Sequence, residues 1–173
     1  MAYNLIPFPG TACPAVKSIT VDVKRSGTNL RLVYKLEGDI AALKIPTRAA
    51  AVPTEKLWEH TCFELFFVEP GEDAYQEYNF APSTAWDHYH FSDYRELMRG
   101  DKAGAKVRPA IATTQTATGL QMVVDVILPT DDVLDAALAA VIEDANGKLT
   151  YWALKHTTDE PDFHDSGAFM VEL

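Results

Sequence analysis

The chain has 173 residues, 47% of them hydrophobic, which is enough to enclose one core without disulfide or metal staples. Its 15 basic and 25 acidic residues give a formal net charge of −10. Phosphate binding depends on clustered Lys and Arg, so neither nucleic acid nor an anionic membrane is expected as a partner.

The N-terminal stretch MAYNLIPFPGTACPAVK has no basic leader and is broken early by prolines. It does not match a secretory signal, and a cytoplasmic address is the expectation. No apolar run reaches the roughly eighteen residues of a membrane helix. Cys13 and Cys62 stand far apart without CxxC spacing, so they are expected to be reduced packing residues. A single domain over 1–173 is expected.

Strand signals dominate in chain order. A first strand is expected near 16–24. In NLRLVYKLEGD, Leu30, Leu32, Tyr34 and Leu36 alternate with Arg31, Lys35 and Glu37, the pattern of a half-buried strand. Loops are expected over 44–56 and 98–106, from proline, glycine and charge. Strands are expected near 60–68, 75–81, 86–91 and 106–114. GLQMVVDVILP repeats the alternation and is stopped by Pro129. Thr130, Asp131 and Asp132 suit the start of a short helical segment. Asn146-Gly147 is the best turn signal in the chain and predicts a two-residue hairpin between strands at about 138–144 and 149–155. A helix over 131–142 is the alternative there, and a last strand is expected near 167–172. The expected fold is all-β: a two-sheet antiparallel β-sandwich, immunoglobulin-like or jelly-roll-like, with one or two short helical segments. A closed barrel is the runner-up.

Period two also sorts the polar residues. In LWEHTCFELFF, residues 57–67, Thr61, Phe63, Leu65 and Phe67 fall on a core face, opposite His60, Cys62, Glu64 and Phe66. Glu77 and Asn79 share one face of the next strand, and Trp86, His88 and His90 share one face of the strand after it. Paired imidazoles such as His88 and His90 occur in strand metal sites, but no third ligand stands near them in sequence. If these strands are neighbours, His60, Glu64, Asn79, Trp86 and His88 form one polar and aromatic surface, with Lys155 or His156 added from YWALKH. Trp152 is a further aromatic, and His164 lies in the polar KHTTDEPDFHDSGAF connection, where it can close one end of a pocket or tie the loop to the sheet. Aromatic rings beside carboxylates, amides and imidazoles suit a planar or sugar-like ligand. No GxSxG, P-loop or GxGxxG is present.

The motifs LWEHTCFELFF, YQEYNFAPSTAWDHYHFSDYR and YWALKHTTDEPDFHDSGAF resemble those of bacterial DOMON-like proteins, relatives of the family 9 carbohydrate-binding modules and of haem-binding DOMON domains. The resemblance runs from about residue 16 to the end. It implies a β-sandwich with a sugar or haem held on one face or at the rim. It also implies Glu64 and Asn79 as polar contacts, with Trp86 and Trp152 as stacking aromatics. The ligand-binding expectation is therefore His60, Glu64, Asn79, Trp86, His88, Trp152, Lys155, His156 and His164, around a carbohydrate-like small molecule. No catalytic residue, metal or cofactor is assigned. Two alternatives remain open. One is a glycoside hydrolase pairing Glu64 with Glu59 or Glu77, and the other a haem-binding redox module drawing an axial ligand from Met98, Met122 or Met170.

Overall fold

The computed structural model describes residues 1–11, 13–47, 55–99 and 107–173. The expected loops over 44–56 and 98–106 lie largely outside those residues. Among the described residues eleven strands follow one another: β1 (Ala2–Pro7), β2 (Val16–Ser26), β3 (Asn29–Gly38), β4 (Cys62–Val68), β5 (Tyr75–Phe80), β6 (Trp86–Phe91), β7 (Ala110–Gln115), β8 (Gly119–Ile127), β9 (Asp135–Glu143), β10 (Leu149–Ala153) and β11 (Val171–Glu172). Helical structure among the described residues is confined to short 3-10 turns at Ile40–Ala42, Leu57–Glu59 and Ser166–Ala168. Asp39 and Asp165 cap the first and last of these by accepting the backbone N–H groups of Ala41 and Gly167. Among the described residues no helix is long and apolar enough to cross a membrane.

The all-β class matches expectation, but the strands form one continuous antiparallel path, β6-β5-β4-β9-β10-β1-β2-β3-β8-β7, with β11 added to β9. The joint is β1, which the proline-broken N-terminus did not predict. Its first half pairs with β2 (Ala2 opposite Asp22 to Leu5 opposite Ile19). Its last residues, Ile6 and Pro7, pair with Ala153 and Trp152 of β10. A proline is tolerated at such a strand end because little of the ladder depends on its missing N–H. The sheet curls so that its two halves face each other. The Tyr34 hydroxyl of β3 donates to the Glu64 carbonyl of β4 at 2.9 Å, and its ring lies 5.0 Å from that of Phe63. Both halves contribute to one buried cluster that includes Leu32, Tyr34, Phe63, Leu65, Tyr78, Phe80, Met122 and Trp152.

Turn chemistry sets the hairpins. Gly27 supplies the positive φ, 57°, that the two-residue link between Ser26 and Asn29 requires. The β9–β10 turn sits where Asn146-Gly147 predicted it, but its loop holds Ala145, Asn146 and Gly147 rather than two residues. Asp144 and Lys148 pair across its base, and the Asp144 carboxylate accepts the N–H groups of Asn146 and Lys148. The segment read as a helix start, Thr130–Asp132, is a turn. Its backbone carbonyls at Thr130 and Asp132 each accept from the Arg25 guanidinium at 2.8 Å. The alternative helix over 131–142 does not form, because β9 is hydrogen-bonded to β4, β10 and β11 and all but its first residue are buried. Ladder and burial override the helical preference of its alanines.

β4 and β9 are buried on both faces. Beneath them lies the main core. Above them a second cluster holds Cys62, Phe66, Ala137, Ala139 and Val141, covered by Leu57, Phe163 and Ala168. The chain after β10 therefore folds back over the outside of the sheet before ending in β11.

Candidate functional site

Directly opposed residues of an antiparallel ladder share a face. Glu64 on β4 is opposite Asn79 on β5, which is opposite Asp87 on β6. Glu77 is opposite Phe66 on one side and Tyr89 on the other. Glu64, Glu77, Asn79, Asp87 and Tyr89 consequently share the outer face; Asn79 and Asp87 are fully buried, while Glu64, Glu77 and Tyr89 line an opening in the cover. The result is a cavity of about 470 Å³, within the usual range of small-ligand sites.

Glu64 and Glu77 form its floor, and Trp58, Tyr89, Tyr151 and Phe163 stand as aromatic walls, with Arg95 and His164 at one end. Trp58 comes from the 3-10 turn before β4. The residue is 39% exposed, and its ring meets that of Tyr89 edge-on at 5.7 Å. It is thus both held in place and open to a ligand.

The floor is buried and acidic. Glu64 is 2% exposed and Glu77 5%. The Cys62 thiol donates to Glu64 Oε1 at 3.3 Å, and the Asn79 amide donates to Glu77 Oε1. Burial raises the Glu64 pKa well above the carboxylate range, and the neighbouring Glu77 charge raises it further. Burial also pushes Glu77 up to about 7, against the lowering effects of the Asn79 amide and Arg95. His164 is driven down to about 4, first by burial and then by Arg95, so it is neutral near pH 7. Its Nδ1 lies 2.7 Å from the Tyr75 hydroxyl, which itself accepts the Arg95 N–H at 3.1 Å. That hydroxyl has its own proton left to donate, so Nδ1 accepts it and Nε2 carries the imidazole proton. Nε2 lies 3.9 Å from Glu77 Oε2.

Of the residues expected from sequence, Glu64 and His164 line this cavity, and Asn79 braces its floor through Glu77. The others lie elsewhere. Trp86, His88 and Trp152 are on the opposite, core-facing side, because Phe80 opposite Trp86 and Tyr78 opposite His88 are core positions of β5. Trp152 donates its Nε1–H to Thr150 Oγ1 at 3.1 Å, and the His88 ring stacks on Tyr78 at 3.8 Å with its Nε2 2.9 Å from Gln76 Oε1. Their expected grouping with Glu64 failed because alternation sorts residues within a strand but does not say which set of the next strand shares their face. His60 precedes β4 and lies 2.8 Å from Glu143, which Lys44 also holds at 2.8 Å. Lys155 is exposed and does not line the cavity. His156 Nε2 donates to the Ile6 carbonyl at 3.0 Å, which ties the covering segment to β1.

Trp58, Tyr89, Tyr151, Phe163 and Arg95 were not among the expected contacts. Glu77 entered only as a possible catalytic partner, although its shared parity with Asn79 was the signal that places it here. Glu64 and Glu77 do meet in one cavity, with Glu59 also lining it. Met122 is buried in the core and Met170 is exposed beside β11. Among the described residues no group of three or more His, Cys, Asp or Glu is placed to hold a metal ion.

No family model and no curated protein matches the chain. Solved structures do. A candidate carbohydrate-binding protein from Bacteroides uniformis superposes with a TM-score of 0.68 at 13% identity, covering 98% of this chain and 84% of its own. A family 9 carbohydrate-binding module from Caldicellulosiruptor kristjanssonii, in complex with cellotriose, gives 0.62 at 11% identity over 91% of this chain and 74% of the module. A family 9 module from the same organism, in complex with glucose, gives 0.53 at 11% identity, covering 82% and 69%. This chain shares their fold. At such identities the likeness does not extend to individual contacts.

Proposed function

We propose that the protein is a non-catalytic carbohydrate-binding module whose ligand occupies the cavity over Glu64 and Glu77. The observation that carries this reading is the cavity itself, where an accessible Trp58 ring stands with other aromatic walls over two buried carboxyl groups. A sugar ring has an apolar face for an aromatic side chain and hydroxyls for carboxyl and imidazole groups, so each part of the lining has a partner. The fold shared with modules solved with cellotriose and glucose supports the same ligand class, as does the DOMON-like character of the motifs.

Isothermal titration calorimetry against a glycan panel tests the proposal. At least one sugar should bind the wild type, and Trp58→Ala should weaken that binding about tenfold or more while leaving the thermal transition nearly unchanged. No binding to any sugar, or binding indifferent to Trp58→Ala, would overturn it.

A further inference from the structure

The charges around the cavity are unevenly compensated. At its rim Lys56 pairs with Glu59 at 3.3 Å, and Arg95 pairs with Asp162 at 2.8 Å. Each of these two cations is therefore matched by its own anion. At the floor no lysine or arginine among the described residues lies within salt-bridge distance of Glu64 or Glu77, and the nearest basic group is the neutral His164, 3.9 Å from Glu77. Glu64, 2% exposed, has a single hydrogen-bond partner, the Cys62 thiol on Oε1, which leaves Oε2 with no partner from the protein. Burying a carboxyl group is costly unless something in the site satisfies it.

From this we infer that the ligand brings the missing cation: the cavity takes an amino sugar, with its ammonium group between the Glu64 and Glu77 carboxylates and its ring against Trp58. The inference rests on the carbohydrate reading above and deepens it. Residues opposed diagonally across a ladder, as Glu64 and Glu77 are, stand roughly 7–8 Å apart at the backbone, a span one ammonium can bridge with a hydrogen bond to each side. The aromatic walls reinforce the choice, since ring faces attract cations most strongly where water is excluded. An ammonium there would draw the buried carboxyl groups into their ionised form, releasing the protons that burial holds on them, whereas a hydroxyl or an acetamide supplies no such countercharge. Arg95 does not compete for the floor, because its guanidinium is engaged by Asp162 and by the Tyr94 hydroxyl.

Three trisaccharides with one backbone, differing only at carbon 2, separate the possibilities: cellotriose (hydroxyl), chitotriose (acetamide) and its fully deacetylated form (amine). Titrated into the wild-type protein, the amine should bind about tenfold more tightly than either of the others, the difference between a charged and a neutral hydrogen bond. Glu64→Gln, which keeps the shape and removes the ionisable group, should reduce that preference to about twofold or less, and Glu77→Gln gives the same readout should the first variant unfold. Equal or tighter binding of cellotriose overturns the amine assignment and leaves the carbohydrate reading standing. An amine preference that survives both substitutions overturns the assigned seat. Failure of all three trisaccharides overturns the inference, and the wider glycan panel then decides the carbohydrate reading by itself.

Discussion

The two halves of the curled sheet obey the same alternation rule and use it differently. In the half built from β2, β3, β8 and β7, one face meets the core and the other meets water. β3 alternates buried and less buried residues along its whole length, and its outward side chains join ion pairs such as Arg31–Asp125 at 2.7 Å and Lys35–Asp22 at 2.6 Å. In the half built from β6, β5, β4, β9 and β10, the outer face is roofed by the segment after β10 and by the turn carrying Leu57. Polar residues that would be a solvated rim on the first half become, on the second, a buried floor with displaced pKa values. A site arises where a sheet face is covered incompletely.

The largest expected effect tests whether the halves share one core. Phe63 is fully buried and packs on Tyr34 from the facing half. Phe63→Ala should cost about 3–5 kcal/mol of unfolding free energy, measured by chemical denaturation. A loss below about 1 kcal/mol would mean that the halves are not packed as described.

A smaller effect tests the burial of the floor. Glu77 titrates near 7 in the folded protein against an ordinary value of 4.5. Between those values the folded state holds more proton than the unfolded state, so this group's contribution to stability is full below about pH 4.5 and is lost as pH rises through 7. Glu64, also raised by burial, acts in the same direction. His164, lowered to about 4, acts oppositely, its unfavourable contribution fading as pH rises from about 4 to 6.5. Comparison with Glu77→Gln cancels the His164 contribution and reads Glu77 together with its effect on Glu64. Wild-type stability should fall relative to the variant by more than about 1 kcal/mol between pH 4.5 and 7.5. Parallel pH profiles would mean that Glu77 is solvated. Glu64, Asn79, Asp87, Tyr89, Tyr75, His164 and Arg95 are the polar groups of the surrounding elements that set this titration.

The smallest effect belongs to the solvated half. Lys35→Met removes an exposed ion pair with Asp22 and should change stability by less than about 1 kcal/mol, with the difference shrinking further in high salt. A larger, salt-independent loss would show that the outer face of this half is not simply solvated, and the contrast between the halves would weaken.

Much of the fold is legible residue by residue. The alternation of β3, β4 and β8 assigns their core positions, Gly27 and Asn146-Gly147 mark turns, and Glu64 stands on the non-core face of its strand. Other parts are not legible. β1 is obscured by its prolines, and β9 by alanines whose local preference is helical. Trp86 and His88 were grouped with Glu64 because the parity of a strand relative to its neighbour is a matter of register, which depends on pairing across the chain. Trp58 and Arg95 lie outside strands, where no periodicity points to a face.

The run LWEHTCFELFF by itself determined that Phe63, Leu65 and Phe67 face one way and Cys62, Glu64 and Phe66 the other, because a pleated strand offers its side chains no other arrangement. Only the tertiary structure decided that the second face would be roofed, and that Glu77 rather than Trp86 or His88 would join Glu64 beneath the roof. That depends on the register of β4 with β5 and on where the distant residues 154–170 come to rest.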